Sequence, residues 1–219
     1  MNLYSICKQQ VYETTMKLVD ADLIRLSYGN ISMRLPDGNI AITPTSIPYD
    51  RLEPKDIVIT DLDGKKIEGH FNPSSERALH YEIYKVRSDV NAVVHTHSRY
   101  AIAFSSVCME LPVICIELFF AGAPIPVAPY QCPGTAEVGT SAAAYFKKRP
   151  DLKGLLLQNH GQVAVGNDLN EAYQMAYNVE IGAEIYHFAL QTGKTPNILT
   201  EEQVADIIRQ YRLPRALPK

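Results

Sequence analysis

The feature that most constrains this chain is the stretch Ala92-Val93-Val94-His95-Thr96-His97-Ser98, an apolar run ending in two histidines one residue apart. Alternate side chains of a strand point the same way, so His95 and His97 would offer two imidazoles to one side of a sheet. The run is too short and too β-branched to read as a helix, and it predicts a buried strand at 91–97. Imidazole is a common ligand of zinc and similar ions, so the strand end is half of a candidate metal site. A third ligand, a general base and a substrate-holding surface must then come from elsewhere.

Strands and helices intermix along the 219 residues, which favours one α/β domain over residues 1–219. Helical spacing is predicted over 2–22, from Pro73 to about Arg87, from near Ser98, over 135–147 and 168–192, and from Thr200. Asp168 is a plausible cap, and Thr200-Glu201-Glu202-Gln203 fits a capping box. Strands are predicted at 30–35, 39–42, 56–60, 65–68 and 153–158, with hairpin turns at Asp37-Gly38 and Asp63-Gly64. The apolar region 111–130 carries four prolines and Gly122, so it cannot be one regular element.

With a net charge of -3 there is no basic field to suggest nucleic acid or an anionic membrane as partner. No stretch approaches the roughly 20 apolar residues of a membrane span, and no signal-peptide pattern opens the chain; the expected location is cytoplasmic. The four cysteines form no C-x-x-C pair and read as reduced and structural.

His160 is the natural third ligand. It follows the buried strand 153–158, and Gly161 beside it permits close backbone approach. Three protein ligands and an open position is the arrangement of catalytic zinc. A lone histidine is more often a hydrogen-bonded structural residue, and His70, His80 and His187 are assigned that role. Glu76 is the candidate base. Its plainer role is to complement the start of the helix that follows, and Ser74-Ser75 before it supply hydroxyls and backbone N–H groups suited to an oxyanion. Gly29-Asn30 and Thr45-Ser46 are two further donor-rich loops; together with the serines they could form a phosphate pocket that uses no lysine.

Five motifs in order carry a resemblance across nearly the whole chain: Tyr28-Gly29-Asn30-Ile31-Ser32, Ile42-Thr43-Pro44-Thr45-Ser46-Ile47-Pro48-Tyr49, Pro73-Ser74-Ser75-Glu76, Ala92-Val93-Val94-His95-Thr96-His97 and Gln158-Asn159-His160-Gly161. The sequence resembles the class II aldolase/adducin family, in particular its sugar-phosphate aldolases. The resemblance implies a three-layer α/β/α fold with a mostly antiparallel central sheet, and a homotetramer with active sites at subunit interfaces. It implies Zn2+ (Mn2+ or Co2+ being alternatives) on His95, His97 and His160, with Glu76 as acid/base and ligand of the resting metal. It implies phosphate binding at Gly29, Asn30, Thr45, Ser46, Ser74 and Ser75. The implied reaction is retro-aldol cleavage of L-fuculose 1-phosphate or a related deoxy-ketose 1-phosphate to dihydroxyacetone phosphate and an aldehyde. A sugar-phosphate epimerase, dehydratase or decarboxylase on the same scaffold is the alternative, and a non-catalytic adducin-like module a third reading.

The chain departs from the family pattern at the phosphate loop, where Ser46 replaces a usual glycine. It departs again at the aldehyde end. Cys115-Ile116-Glu117 lacks the tyrosine found in that region, Pro133 replaces an aromatic residue, and Tyr211 is only an approximate counterpart of a tail tyrosine.

Overall fold

A computed structural model describes residues 2–211. Eight strands form one sheet: β1 (Asn30–Arg34), β2 (Ile40–Ile42), β3 (Val58–Thr60), β4 (Lys66–Glu68), β5 (Ala92–Thr96), β6 (Val127–Ala128), β7 (Gly154–Leu157) and β8 (Gly161–Gly166). Their order across the sheet is β4-β3-β2-β1-β5-β8-β7-β6. Every pairing is antiparallel except β6 with β7. The helices are α1 (Leu3–Asp20), α2 (Arg77–Val86), α3 (Arg99–Ser106), α4 (Ile116–Phe120), α5 (Ala136–Lys148), α6 (Leu169–Gln191) and α7 (Glu201–Tyr211).

The caps read at Asp168 and Thr200 are present, and Asn2 adds one the sequence reading did not name. Asn2 Oδ1 accepts from the Ser5 amide at the start of α1, and Asp168 Oδ1 accepts from the Glu171 amide at the start of α6, each at 2.8 Å. At the start of α7, Thr200 Oγ1 accepts from the Gln203 amide while Gln203 Oε1 accepts from the Thr200 amide, a complete capping box. The irregular region 111–130 resolves into the short helix α4, a cis Ala123–Pro124 bond and the two-residue strand β6.

One strand is absent from the sequence-based assignment. The segment after His160 is β8, which pairs with β7 on one side and β5 on the other. Its sequence, Gly161-Gln162-Val163-Ala164-Val165-Gly166, starts and ends in glycine and is only six residues long, so weak β propensity at both ends hid it. His160 therefore sits in a three-residue hairpin loop, with Asn159 at φ 56° making the turn.

Register decides which face each side chain occupies. Asn30, His95 and Val163 stand directly across from one another on β1, β5 and β8, so they share a face. Ser32, two residues beyond Asn30, hydrogen-bonds to His80 and Tyr84 of α2, so that face is the one α2 covers. Helix α5 packs beside α2. The next row along, Thr96 and Gln162, faces the other way, where Gln162 Nε2 donates to the Ala176 carbonyl of α6 at 3.0 Å. Helices α1 and α3 join α6 in that second layer. The result is helix layers on both faces of a mostly antiparallel sheet. Strand β5 is buried along its whole length, while β4 at the edge is exposed and carries Lys66 and Glu68, charges that discourage pairing with another chain.

Candidate active site

The imidazole cluster stands where β5 ends and the β7–β8 hairpin turns. Two glycines let these backbones meet. A Cβ on Gly161 would lie 2.2 Å from the Thr96 carbonyl oxygen, and a Cβ on Gly29, at φ 88°, would lie 2.7 Å from the His95 carbonyl oxygen. Neither position has room for a side chain. The three rings sit edge to face, with centroids 4.7–4.9 Å apart. Tyr28 lies parallel to the His97 ring at 5.8 Å.

Glu76 completes the cluster. It is the residue immediately before α2, and its carboxylate makes no capping bond to that helix. It turns inward instead, with Oε1 3.0 Å from His160 Nε2 and Oε2 3.4 Å from His95 Nε2. Complementing the helix start is therefore not what this side chain does. Its backbone amide donates to Ser74 Oγ at 3.2 Å, which anchors the turn that aims it.

The donor set fits a metal ion. The ligating atoms of Glu76, His95, His97 and His160 all lie within 4.8 Å of one another. Donors about 2.0–2.1 Å from a common tetrahedral ion stand roughly 3.3 Å apart. The separations here are 3.0 Å for His95 Nε2 to His97 Nε2, 3.0 Å for His160 to Glu76 and 3.4 Å for His95 to Glu76. His95 Nδ1 lies 2.8 Å from the Gln162 carbonyl oxygen and donates to it, which leaves the Nε2 lone pair facing the cluster. His160 Nε2 and Glu76 Oε1 are buried and make no hydrogen bond despite their closeness, as atoms aimed at a common ion would be.

The electrostatics agree. Burial pushes the Glu76 carboxyl up, but the His95 and His160 imidazoles outweigh it and hold the group far below the usual carboxylate range. Burial disfavours charge on His95, yet Glu76 opposite raises its pKa overall. His97 is pushed down to about 3 by burial and by the neighbouring imidazoles, which keeps it neutral and ligand-competent. The raised pKa expected for a proton-carrying Glu76 is not what the free site provides; facing the imidazoles, the group rests as a carboxylate.

A cavity of about 340 Å³ opens beside the cluster. Gly29, Asn30, Thr45, Ser46, Ser74 and Ser75 all line it, together with Glu76, His97 and His160. His95 lies just beneath, fully buried. Backbone bonds bring the loops together: the Thr45 amide donates to the Asn72 carbonyl and the Ser74 amide to the Thr43 carbonyl, both at 3.0 Å. Tyr49 donates its hydroxyl to the Gly29 carbonyl at 2.7 Å and fixes the third loop. Among the described residues, the lining contains no lysine or arginine.

Sequence reasoning missed several participants. Ser27, Tyr28, Pro44 and Gly134 also line the cavity. Tyr28 stood inside a quoted motif, and its aromatic ring beside a glycine turn was the available signal. His80 is fully buried and bonded to Asn30 Oδ1 at 2.5 Å, and Asn30 Nδ2 donates to Glu76 Oε2 at 2.8 Å. Of Asn30's two amide hydrogens, one is thus committed to Glu76. Pro133 lines the cavity, whereas Cys115 stands at the start of α4 and is not in the lining. Tyr211 packs edge-on against the Phe120 ring and does not line the cavity either. The tail beyond Tyr211 lies outside the described residues.

A buried cluster of three imidazoles and a carboxylate, beside a hydroxyl-lined cavity on this sheet, defines a metal-dependent enzyme scaffold. The chain belongs to the Class II Aldolase and Adducin N-terminal domain family, whose profile matches residues 9–187. It is 34% identical over 205 residues to the 5-deoxy-D-ribulose 1-phosphate aldolase of Bacillus thuringiensis serovar kurstaki, covering 93% of this chain and 94% of that one. It is 36% identical over 205 residues to the L-fuculose phosphate aldolase of Escherichia coli K12, covering 93% of each. Among solved structures, an L-fuculose 1-phosphate aldolase superposes with a TM-score of 0.87 at 32% identity, over 94% of this chain and 96% of that one. Likeness of this extent makes the chain an aldolase-type carbon–carbon lyase rather than a non-catalytic module. No helix among the described residues is long and apolar enough to cross a membrane.

Proposed function

We propose that the protein cleaves a deoxy-ketose 1-phosphate to dihydroxyacetone phosphate and an aldehyde, using zinc held by His95, His97 and His160, with Glu76 as ligand and acid/base. The observation that carries this reading is the cavity itself. It has a Glu/His3 cluster at one end and Thr45, Ser46, Ser74 and Ser75 at the other. The names of the relatives support a ketose 1-phosphate, either L-fuculose 1-phosphate or a 5-deoxy-ketose 1-phosphate.

A divalent cation at the cluster supplies Lewis-acid stabilisation of the negative charge that develops on the substrate oxygens. The protein residues do the rest. The hydroxyls around the start of α2 hold the phosphate, where the helix dipole adds to them. This fixes the sugar chain so that its carbonyl end reaches the cluster. Cleavage breaks the C3–C4 bond; the C4 hydroxyl gives its proton to solvent as C4 becomes the aldehyde. Glu76, a carboxylate at rest, takes up one proton from solvent and passes it to the electron pair left on C3, and in condensation Glu76 removes that proton. Three imidazoles and a carboxylate also suit manganese or cobalt. The reading includes a single cytoplasmic domain assembled as a homotetramer.

The test is a panel of ketose 1-phosphates differing in stereochemistry and chain end, with dihydroxyacetone phosphate as the readout, run with and without chelator. Chelator-sensitive release from a deoxy-ketose 1-phosphate is expected. Turnover without carbon–carbon cleavage would replace this reading with an epimerase, dehydratase or decarboxylase.

A further inference from the structure

We infer that His80, on α2 beneath the cavity, is a positioning residue for Glu76, acting as a fixed neutral donor that orients the Asn30 side-chain amide. The inference rests on Glu76 being the acid/base of the proposed reaction, and it concerns what aims that carboxylate.

The argument runs along one chain of hydrogen bonds. Asn30 Nδ2 lies 2.8 Å from Glu76 Oε2, His80 Nε2 2.5 Å from Asn30 Oδ1, Ser32 Oγ 2.7 Å from His80 Nδ1, and Tyr84 OH 2.8 Å from Ser32 Oγ. Direction is set from the carboxylate end. A carboxylate only accepts, so Asn30 must turn its NH2 toward Glu76 and its oxygen toward His80. That oxygen needs a donor, so the His80 proton must be on Nε2. Nδ1 then carries a lone pair and accepts from the Ser32 hydroxyl. The single Ser32 proton being spent, Tyr84 must donate to Ser32. With a neutral ring every member has one allowed role; a charged ring would also donate from Nδ1 and turn the Ser32 proton toward Tyr84.

The alternative arrangements fail. With the proton on Nδ1, two lone pairs would face each other at 2.5 Å between His80 and Asn30. With the Asn30 amide flipped, its oxygen would face the Glu76 carboxylate. Ser32 and His80 are fully buried, as is Tyr84 almost completely, so no water competes for these sites. The same burial pushes the His80 pKa down to about 3, helped by His95 and opposed by Glu76, in keeping with a neutral ring. The consequence at the active site is a distinction between the two carboxylate oxygens. Oε2 is held by Asn30, while Oε1 beside His160 makes no hydrogen bond within the protein.

Two experiments test this. The first is solid-state NMR of the metal-free protein labelled with 15N-histidine, the His80 signals being assigned by their loss in His80→Gln. The expected result is a protonated Nε2 and a bare Nδ1; the opposite tautomer, or a charged ring near neutral pH, would overturn the inference. This readout does not depend on the reaction, so it stands apart from any failure of the aldolase reading. The second is a kinetic cycle on metal-loaded protein. His80→Leu should lower kcat by about 10- to 100-fold, the scale of a lost hydrogen bond to a charged group, with KM changed far less. His80→Gln, whose amide can donate to Asn30, should recover most of kcat. In an Asn30→Ala background, His80→Leu should cause no further loss. Additive losses in the double variant, or full kcat in a folded His80→Leu protein, would make His80 a structural residue only. Should His80→Leu not fold, the His80→Gln and Asn30→Ala proteins carry the comparison: a His80→Gln protein no more active than Asn30→Ala would overturn it.

Discussion

The two ends of the cavity are built by different means. At the imidazole end, side chains are fixed by the sheet. His95 lies within β5, its Nδ1 bonded to the backbone of β8, and His160 hangs on a hairpin whose Gly161 touches Thr96. At the hydroxyl end, the donors stand on loops held by a few backbone bonds between 43–45 and 72–74. Buried groups on a shared scaffold fail together, because displacing one leaves the others unpaired in a dry site. Exposed hydroxyls such as those of Ser46 and Ser75 act more independently, since water replaces what is lost, whereas Ser74 is buried and bonded to the Glu76 amide. Substitutions at the first end should therefore be near all-or-none, and at the second end graded.

The strongest test of that contrast is Glu76→Gln. The amide keeps the shape but cannot carry the proton, and general acid–base catalysis is worth ~10²–10⁴-fold. Cleavage should fall by at least that range while metal content, measured by elemental analysis, is retained. Near-normal turnover would remove Glu76 from the mechanism and the contrast with it. Next in size is Gly161→Ala. Its Cβ would meet the Thr96 carbonyl at 2.2 Å, so two paired strands must separate. Unfolding free energy should drop by about 1–3 kcal/mol in a denaturant titration, with loss of bound metal as His160 is displaced. A variant of normal stability and full metal content would show that the hairpin is not the rigid part.

How far the sequence disclosed these two ends follows from the range of the interactions. The imidazole end was legible because period-2 spacing puts His95 and His97 together, and Gly161 marks a close approach near His160. Helix caps such as Asp168 and the Thr200–Gln203 box were legible because their partners are three residues away. Strand β8 was not, since a short segment with terminal glycines gains its stability from pairing with β5 and β7 on both sides. His80 was assigned to structure because its partners are Asn30 and Ser32, about fifty residues away, and only the β1–α2 packing reveals them. The loops holding Thr45 and Ser75 could be named as donor-rich, but their convergence depends on backbone bonds that no local pattern encodes.

At the rim the expected effects are smaller. Ser75 is exposed and lines the cavity. Ser75→Ala should raise KM for a ketose 1-phosphate by roughly 10-fold, the lower end for a hydrogen bond to a charged group, and leave kcat within about 2-fold. A loss concentrated in kcat would mean that the rim is coupled to the imidazole end after all.

The smallest effect, and the one that most sharpens the contrast, belongs to Ser46. It stands where the family resemblance implies glycine, and its φ is 60°, the left-handed region that glycine occupies without strain. A side chain there costs about 1–2 kcal/mol of local conformational energy. The Ser46 hydroxyl lies 3.3 Å from Thr45 Oγ1, within the donor-rich rim. Ser46→Gly therefore removes strain and one donor together. Part of the relief is offset by the greater freedom of glycine in the unfolded chain, so the net gain should be below about 1 kcal/mol, read as a Tm higher by a few degrees. If the hydroxyl binds phosphate, KM should rise by a few-fold alongside that gain, and stability would have been exchanged for affinity at a loop position. If Tm rises while KM stays constant or falls, the hydroxyl crowds the phosphate or ignores it, and Thr45, Ser74 and Ser75 carry the rim without it.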